Sequence, residues 1–275
     1  MGLWCILSPM KAKTSLHVCA AGIAALVLIA GTMAAQESAI LVPQPAAKPA
    51  PVRVAVYDDR GSPRTASDFK HVFGNAKEFQ LTFVTAEQIR SGVLKDMDVL
   101  VQGGGGAHTQ SDELQAPGRD AIRDFVNKGG GYLGICAGAY LASSAKASDL
   151  GILNARIVDS EHWARGRGDV ELGFTPIGQQ EIGEAKPKVT VMYHQGPLLA
   201  PAGRKDLPTY TEVAKFNTEV AEKGAPHGVM QGTTALASST YGKGRVFVIS
   251  PHPEQTAGQE GIVRGALMWV ARRTP

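Results

Sequence analysis

The chain has 275 residues, of which 44% are hydrophobic and 28 basic side chains face 25 acidic ones, for a formal net charge of +3. That apolar share excludes a disordered or low-complexity protein. Without residues 1–35, which hold Lys11 and Lys13 and no acids, the count is 26 basic against 25 acidic, or +1, so no nucleic-acid partner is expected.

Lys11 and Lys13 precede an apolar stretch from Val18 to Ala30 that ends in Thr32-Met33-Ala34-Ala35, the pattern of a secretory signal peptide over residues 1–35. The stretch approaches the ~20 residues of a spanning helix, so an uncleaved N-terminal anchor is the alternative, and the one membrane association expected. Either form makes the body an exported protein, periplasmic or extracellular. Residues 36–51 (QESAILVPQPAAKPAP) lack periodicity and read as an extended linker. Residues 52–275 then form one domain. Cys5 and Cys19 belong to the targeting segment, which leaves Cys136 alone in the body and rules out an internal disulfide there. A solitary thiol in an oxidising compartment is either buried or used.

Val52–Tyr57 is a β-rich run, followed by a helix from Thr65 that contains Phe69, Val72 and Phe73. Gln80–Val84 gives a second strand, Ala86–Val93 a short helix, and Asp98–Gln102 a third strand that ends in Gly103–Gly106. A helix from Asp112 or Pro117 to Lys128 stops at Gly129-Gly130-Gly131, and Tyr132–Ile135 is the strand leading to Cys136. Continuous apolar strands alternating with helices predict an α/β fold, a mostly parallel sheet with helices on both faces. From Gly151 to Thr240, short β runs between Gly and Pro turns predict an antiparallel β extension. Its strands are Ile157-Val158, Lys188–Met192, Glu212–Phe216 and Gly228–Met230. Tyr241–Gly244 is a turn, Arg245–Ser250 a further strand, and Gly261–Arg272 a final amphipathic helix.

Gly134-Ile135-Cys136-Ala137-Gly138 is the cysteine form of a nucleophile elbow, in which glycines permit a sharp strand-to-helix turn. Ser250-Pro251-His252-Pro253-Glu254 follows another apolar strand 116 residues later and supplies a base, His252, with a carboxylate, Glu254, to hold its ring. A helix dipole and an imidazole both favour thiolate over thiol. The backbone N–H of Ala137, with one from Gly104 or Gly105, is the expected oxyanion donor pair. Tyr193–Pro197 offers His194 or Gln195 for substrate hydrogen bonds. His108 reads as an exposed loop residue, with a place facing the cleft the alternative, and the loop Glu161–Gly168, with His162, Trp163 and Arg165, as surface packing, with binding of an acidic or carbohydrate group the alternative. The six histidines of the body show no metal-ligand spacing, and neither a dinucleotide fingerprint nor a Walker sequence occurs, so no metal and no cofactor are expected.

The order of glycine turn, helix, GGGYLGICAGAY, Tyr-His-Gln-Gly-Pro and GKGRVFVISPHPE resembles the class I glutamine-amidotransferase-like superfamily, with its biotin-protein-ligase N-terminal-like branch the nearest match. The resemblance implies a flavodoxin-like fold, with Cys136 as nucleophile, His252 as base and Glu254 as orienter. Neither a ligase catalytic domain nor a synthase domain is present in the chain. The expectation is therefore an exported hydrolase that cleaves a C–N amide of a small molecule or peptide through an acyl-enzyme on Cys136. A catalytically silent binding module of the same fold and a peroxide-sensing cysteine protein are the other readings, and the sequence specifies no oligomeric state.

Overall fold

The computed structural model describes residues 50–143 and 146–273; the predicted signal segment and all but the end of the linker lie outside them. In chain order the elements are β1 (Val52–Tyr57), α1 (Thr65–Phe73), β2 (Phe79–Val84), α2 (Ala86–Arg90), β3 (Val99–Gln102), α3 (Ala107–Asn127), β4 (Gly131–Ile135) and α4 (Ala137–Ala142). There follow β5 (Ala155–Val158), β6 (Arg167–Phe174), α5 (Pro176–Ile182), β7 (Lys188–His194), β8 (Leu198–Pro201), β9 (Thr211–Phe216), β10 (Thr234–Tyr241), β11 (Gly244–Ile249) and α6 (Glu260–Val270). No helix of the described residues is long and apolar enough to cross a membrane.

One large sheet has the order β2-β1-β3-β4-β11-β10-β9-β6-β7, with β5 and β8 paired beside β10. The strands from β2 to β11 run parallel, and those from β11 through β7 alternate in direction. Alternate residues of the parallel strands divide between two cores. Val54, Val56, Val101, Leu133, Phe247 and Ile249 pack with α1 and α6. Ala55, Leu100, Tyr132, Val246 and Val248 pack with α2, α3 and α4. Helices therefore cover both faces, which is why these strands are apolar at every position rather than every second one.

Local chemistry explains several element ends. Thr85 caps α2 reciprocally: its hydroxyl accepts from the Gln88 amide at 3.3 Å, and the Gln88 side chain accepts from the Thr85 amide at 2.9 Å. α3 starts at Ala107, five residues before the earlier expected start, and is broken at Gln115 (φ 55°, ψ −178°), two residues before Pro117. The ring of Pro117 disfavours helical backbone at Ala116 and its nitrogen has no N–H to donate, so the helix does not run unbroken up to it. Ala86–Val93 is helical only to Arg90 and ends at Gly92, which has a left-handed φ of 90°.

Gly228–Met230 is a turn, not a strand. Met230 is fully buried there and its sulfur accepts from the Val220 amide at 3.3 Å, so an apolar pair anchors a loop rather than a ladder. β6 and α5 are elements that the sequence reading passed over. Truncating a side chain sealed between sheet and helix leaves a cavity, whereas an exposed one does not. Leu267→Ala on α6 should cost about 2–5 kcal/mol in urea unfolding, and Ile177→Ala on the exposed face of α5 less than about 0.5 kcal/mol.

Candidate active site

The strand register brings the sequence motifs together. Ile135 of β4 pairs with Ile249 of β11, so Cys136 and Ser250 leave the sheet side by side, and the Cys136 amide donates to the Ile249 carbonyl at 2.8 Å. Gln102 of β3 pairs with Gly134, which sets Gly103 and Gly104 against the same edge. All three segments emerge at the carboxyl ends of parallel strands, where α/β sheets open their crevices.

Cys136 has φ 50° and ψ −100°, outside the regions that a residue with a Cβ normally occupies. A Cβ on Gly138 would lie 1.9 Å from the Gln102 carbonyl oxygen, so only glycine lets α4 start this close to β3. Tyr132 seals the turn from below by donating to the Gly138 carbonyl at 2.8 Å. The result is an elbow with the thiol at the first turn of α4, 6% exposed, lining the cleft.

His252 is 4% exposed and its Nδ1 lies 2.7 Å from Glu254 Oε1. Burial alone would lower the imidazole pKa, but hydrogen bonds to Cys136 and Glu254 and the charges of both outweigh it and push the pKa up to about 10. The turn is pinned to β7: the His252 amide donates to the Met192 carbonyl at 2.8 Å, and Thr256 Oγ1 both donates to the His252 carbonyl and accepts from the Met192 amide. Gln255 Nε2 donates to Asp68 Oδ2 on α1 at 2.9 Å and reaches Glu254 Oε1 at 3.5 Å.

The amides of Gly104, Gly105 and Ala137 donate to no acceptor among the described residues. A Cβ on Gly104 would sit 2.7 Å from His252 Cε1 and 3.7 Å from Cys136 Cβ, so this glycine borders the thiol–imidazole pair. Gly105 instead turns its α-carbon toward the Gly61 loop, where a Cβ would meet the Gly61 carbonyl at 2.1 Å. His194 and Gln195 line the cleft, but their backbones make the contacts. Cys136 Sγ lies 3.6 Å from the His194 carbonyl, and Tyr140 donates to the Gln195 carbonyl at 3.2 Å.

The cleft has a volume of about 710 Å³. His108 lines its mouth from the first turn of α3, exposed as expected but helical rather than in a loop, with Nε2 3.5 Å from Asp112. The loop Glu161–Gly168 corrects the surface reading in one respect: Arg165 is only 1% exposed and pairs with Asp159, while Trp163 beside it is 55% exposed and lines the cleft. Tyr140, Gln255 and the buried pair Gln102 and Gln110 were not anticipated. Gln102 Nε2 donates to Gln110 Oε1 at 3.0 Å, and Gln110 donates on to the carbonyls of Gly61 and Gly103, fastening the glycine turn. The spacing of Tyr140 four residues after Cys136, and of Gln255 directly after Glu254, carried that information.

Residues 52–163 match the family model described as biotin-protein ligase, N terminal. That match spans less than half of the chain, and the fold is one shared with several solved structures. PurLQS from Thermotoga maritima is 16% identical over 81% of this chain and 98% of its own, with a TM-score of 0.56. A ThuA-like protein from Bacteroides uniformis is 14% identical over 83% of this chain and 94% of its own, also at 0.56. A β-galactosidase from Bacillus circulans sp. alkalophilus, 11% identical, aligns with 82% of this chain over 32% of its own length, with a TM-score of 0.51. Identities this low speak for fold alone. No curated protein matches the sequence. The matched residues contain the glycine turn and Cys136, whereas His252 and Glu254 lie beyond them.

A histidine whose pKa is raised on folding stabilises the native state fully below its unfolded value of about 6.5 and loses that contribution as pH rises toward about 10. The stability advantage of the native protein over His252→Ala should therefore shrink between those limits in denaturant titrations. In a nuclear magnetic resonance titration, Glu254→Gln should move the His252 midpoint downward. An unmoved midpoint would show that the carboxylate does not hold the proton.

Proposed function

We propose that the protein is an exported, amidotransferase-like cysteine hydrolase that cleaves a C–N amide bond with water as the final acceptor. The observation that carries this reading is the buried His252, held by Glu254 at 2.7 Å, beside a Cys136 on a strained elbow, with Gly104 bordering both in an open cleft. The flavodoxin-like fold and the export implied by residues 1–35 belong to the same reading. Its substrate is a small-molecule or peptide amide of the periplasmic or extracellular space, and nucleic acid is not a partner.

The reaction runs in two halves. His252, its pKa raised to about 10, carries a proton at neutral pH, and in the proposed reaction Cys136 attacks as the thiolate. Sγ attacks the amide carbonyl carbon, and the carbonyl oxygen takes the negative charge against the amides of Ala137 and Gly104, donors worth about 10²–10³ in rate each. When the C–N bond breaks, His252 gives its proton to the leaving amine, and an acyl thioester remains on Cys136. His252, now neutral, takes a proton from water, whose oxygen attacks the thioester. The S–C bond breaks, the acid departs, and the imidazolium–thiolate pair is restored. Glu254 holds Nδ1 throughout, which keeps Nε2 toward the sulfur.

The contact of Sγ with the His194 carbonyl favours one rival: a thiol capped in this way also suits a silent binding module. Iodoacetamide separates the two. Alkylation of Cys136 at pH 7 should slow by about 10²-fold in His252→Ala if the pair works, and hydrolysis of an amide library by the wild-type protein should vanish in Cys136→Ala. Equal alkylation rates with and without His252 would sink the hydrolase and leave the binding module.

A further inference from the structure

A second cavity of about 350 Å³ adjoins the reactive cleft, and Ala107, His108, Tyr140, Lys146, Ser148 and Trp163 line both. Its own wall adds Ser111, Ser143, Ser160, Asp149, Arg156 and Ile157. We propose that this cavity is a subsite for a saccharide unit that bears a carboxylate, lying next to the amide cleaved at Cys136; the proposal rests on the hydrolase reading of the cleft.

Three features carry it. The first is Trp163, one of only two large hydrophobic side chains left exposed among the described residues, the other being Ile177 far along the chain on α5. Trp163 is held out by design of its loop. Asp159, itself in a left-handed conformation at φ 53°, receives His162 Nδ1 at 2.6 Å on one oxygen and the buried Arg165 on the other. His162 beside the indole and Arg165 two residues after it are thus fastened to one carboxylate, which restrains the loop on either side of Trp163 before any ligand arrives. A flat aromatic face standing in a cleft suits the apolar C–H face of a pyranose ring.

The second feature is the density of hydroxyls. Ser111, Ser143, Ser148 and Ser160 line the one cavity. Ser111 Oγ donates to the Ser148 carbonyl at 2.6 Å and accepts from Arg119 at 3.3 Å, and Ser143 Oγ donates to the Tyr140 carbonyl at 2.8 Å, which leaves the Ser148 and Ser160 hydroxyls, unbonded among the described residues, for ligand hydroxyls.

The third is charge. Arg156 on β5 and Lys146 line the cavity, and neither forms a salt bridge among the described residues. The carboxyl of Asp149 is turned toward the protein, where Oδ2 accepts from the Lys146 amide at 2.8 Å and from Ser143 Oγ at 3.4 Å. A guanidinium outside any salt bridge among the described residues, with the Lys146 ammonium that also acts on Asp149, stands beside an aromatic face and a ring of hydroxyls and selects an anionic sugar over a neutral one.

The test is calorimetric titration of the Cys136→Ala protein with N-acetylmuramic acid and with N-acetylglucosamine, which differ by one carboxylate-bearing ether. The acid should bind at least about tenfold more tightly. Arg156→Ala should remove that preference, and Trp163→Ala should weaken both sugars by about tenfold while Trp163→Phe retains most of the affinity. These side chains are exposed, so the variants keep the fold, and Arg156→Ala, outside the lining of the reactive cleft, should leave the alkylation rate of Cys136 in the otherwise unchanged protein where it is. Equal affinities for the two sugars, or affinities that ignore Arg156 and Trp163, overturn the subsite. Because binding is read without turnover, an inert Cys136 with sugar discrimination intact would overturn the hydrolase reading alone.

Discussion

The backbone of Cys136, at φ 50° and ψ −100°, is held in place from three sides, and the site depends on that restraint. β4 lies between β3 and β11 with parallel ladders on both edges, so Gly134 is held by pairs to both neighbours and Ile135 by its pair with Ile249. Immediately beyond it, α4 turns back over β3 with Gly138 against the Gln102 carbonyl, and the Tyr132 hydroxyl closes the gap from the core. Strain of this kind costs on the order of 1–3 kcal/mol and survives only where packing over-determines it. Its effect is to point the thiol into the cleft and to leave the Ala137 amide aimed at whatever Sγ attacks.

The same restraint explains why the antiparallel half of the sheet matters to the chemistry. β11 delivers the Ser250–Glu254 turn beside Cys136, yet nothing in β11 itself fixes the imidazole. Glu254 holds the ring, and the backbone of the turn is anchored by β7 at the far edge of the sheet, whose Met192 carbonyl and amide hold the His252 amide and Thr256. The strand pairs β6–β7 and β6–β9 carry β7 around until its end lies over the parallel crevice. The extension is therefore structural support for the base as well as the source of the His194–Gln195 wall.

Much of this was legible in the residues and some was not. The parallel half announced itself because each strand is apolar on both faces, and the elbow and His-Pro-Glu turn stood out because few other arrangements need those residues in that order. β6 escaped because Arg167–Phe174 holds two glycines and three charged residues; its ladder of seven pairs to β7 makes it a strand, not its own propensity. α5 carried readable signs, with Thr175 as cap, Pro176 at the first turn and Gly183 in the left-handed conformation after its end, but at seven residues it was overshadowed by its β neighbours. Arg165 looked like surface because arginine usually is. Its burial follows from Asp159, six residues earlier, and no local pattern reveals such a pairing.

The energetics of the cleft are those of a site shaped for something other than stability. Glu254 is 8% exposed, and its Oε2 has no hydrogen-bond partner, a burial that costs about 1–3 kcal/mol. It accompanies a buried imidazolium, and apolar residues of similar volume would often serve a fold as well as such a pair does. Cys136 adds backbone strain a few residues away in space, and Gly104 leaves the imidazole edge uncovered where any side chain would have shielded it. Three unfavourable choices converge on one cleft, while the sheet on either side keeps its apolar residues sealed. Local rules broken together in one place, with the rest of the molecule obeying them, mark where a fold has been bent to a chemical purpose.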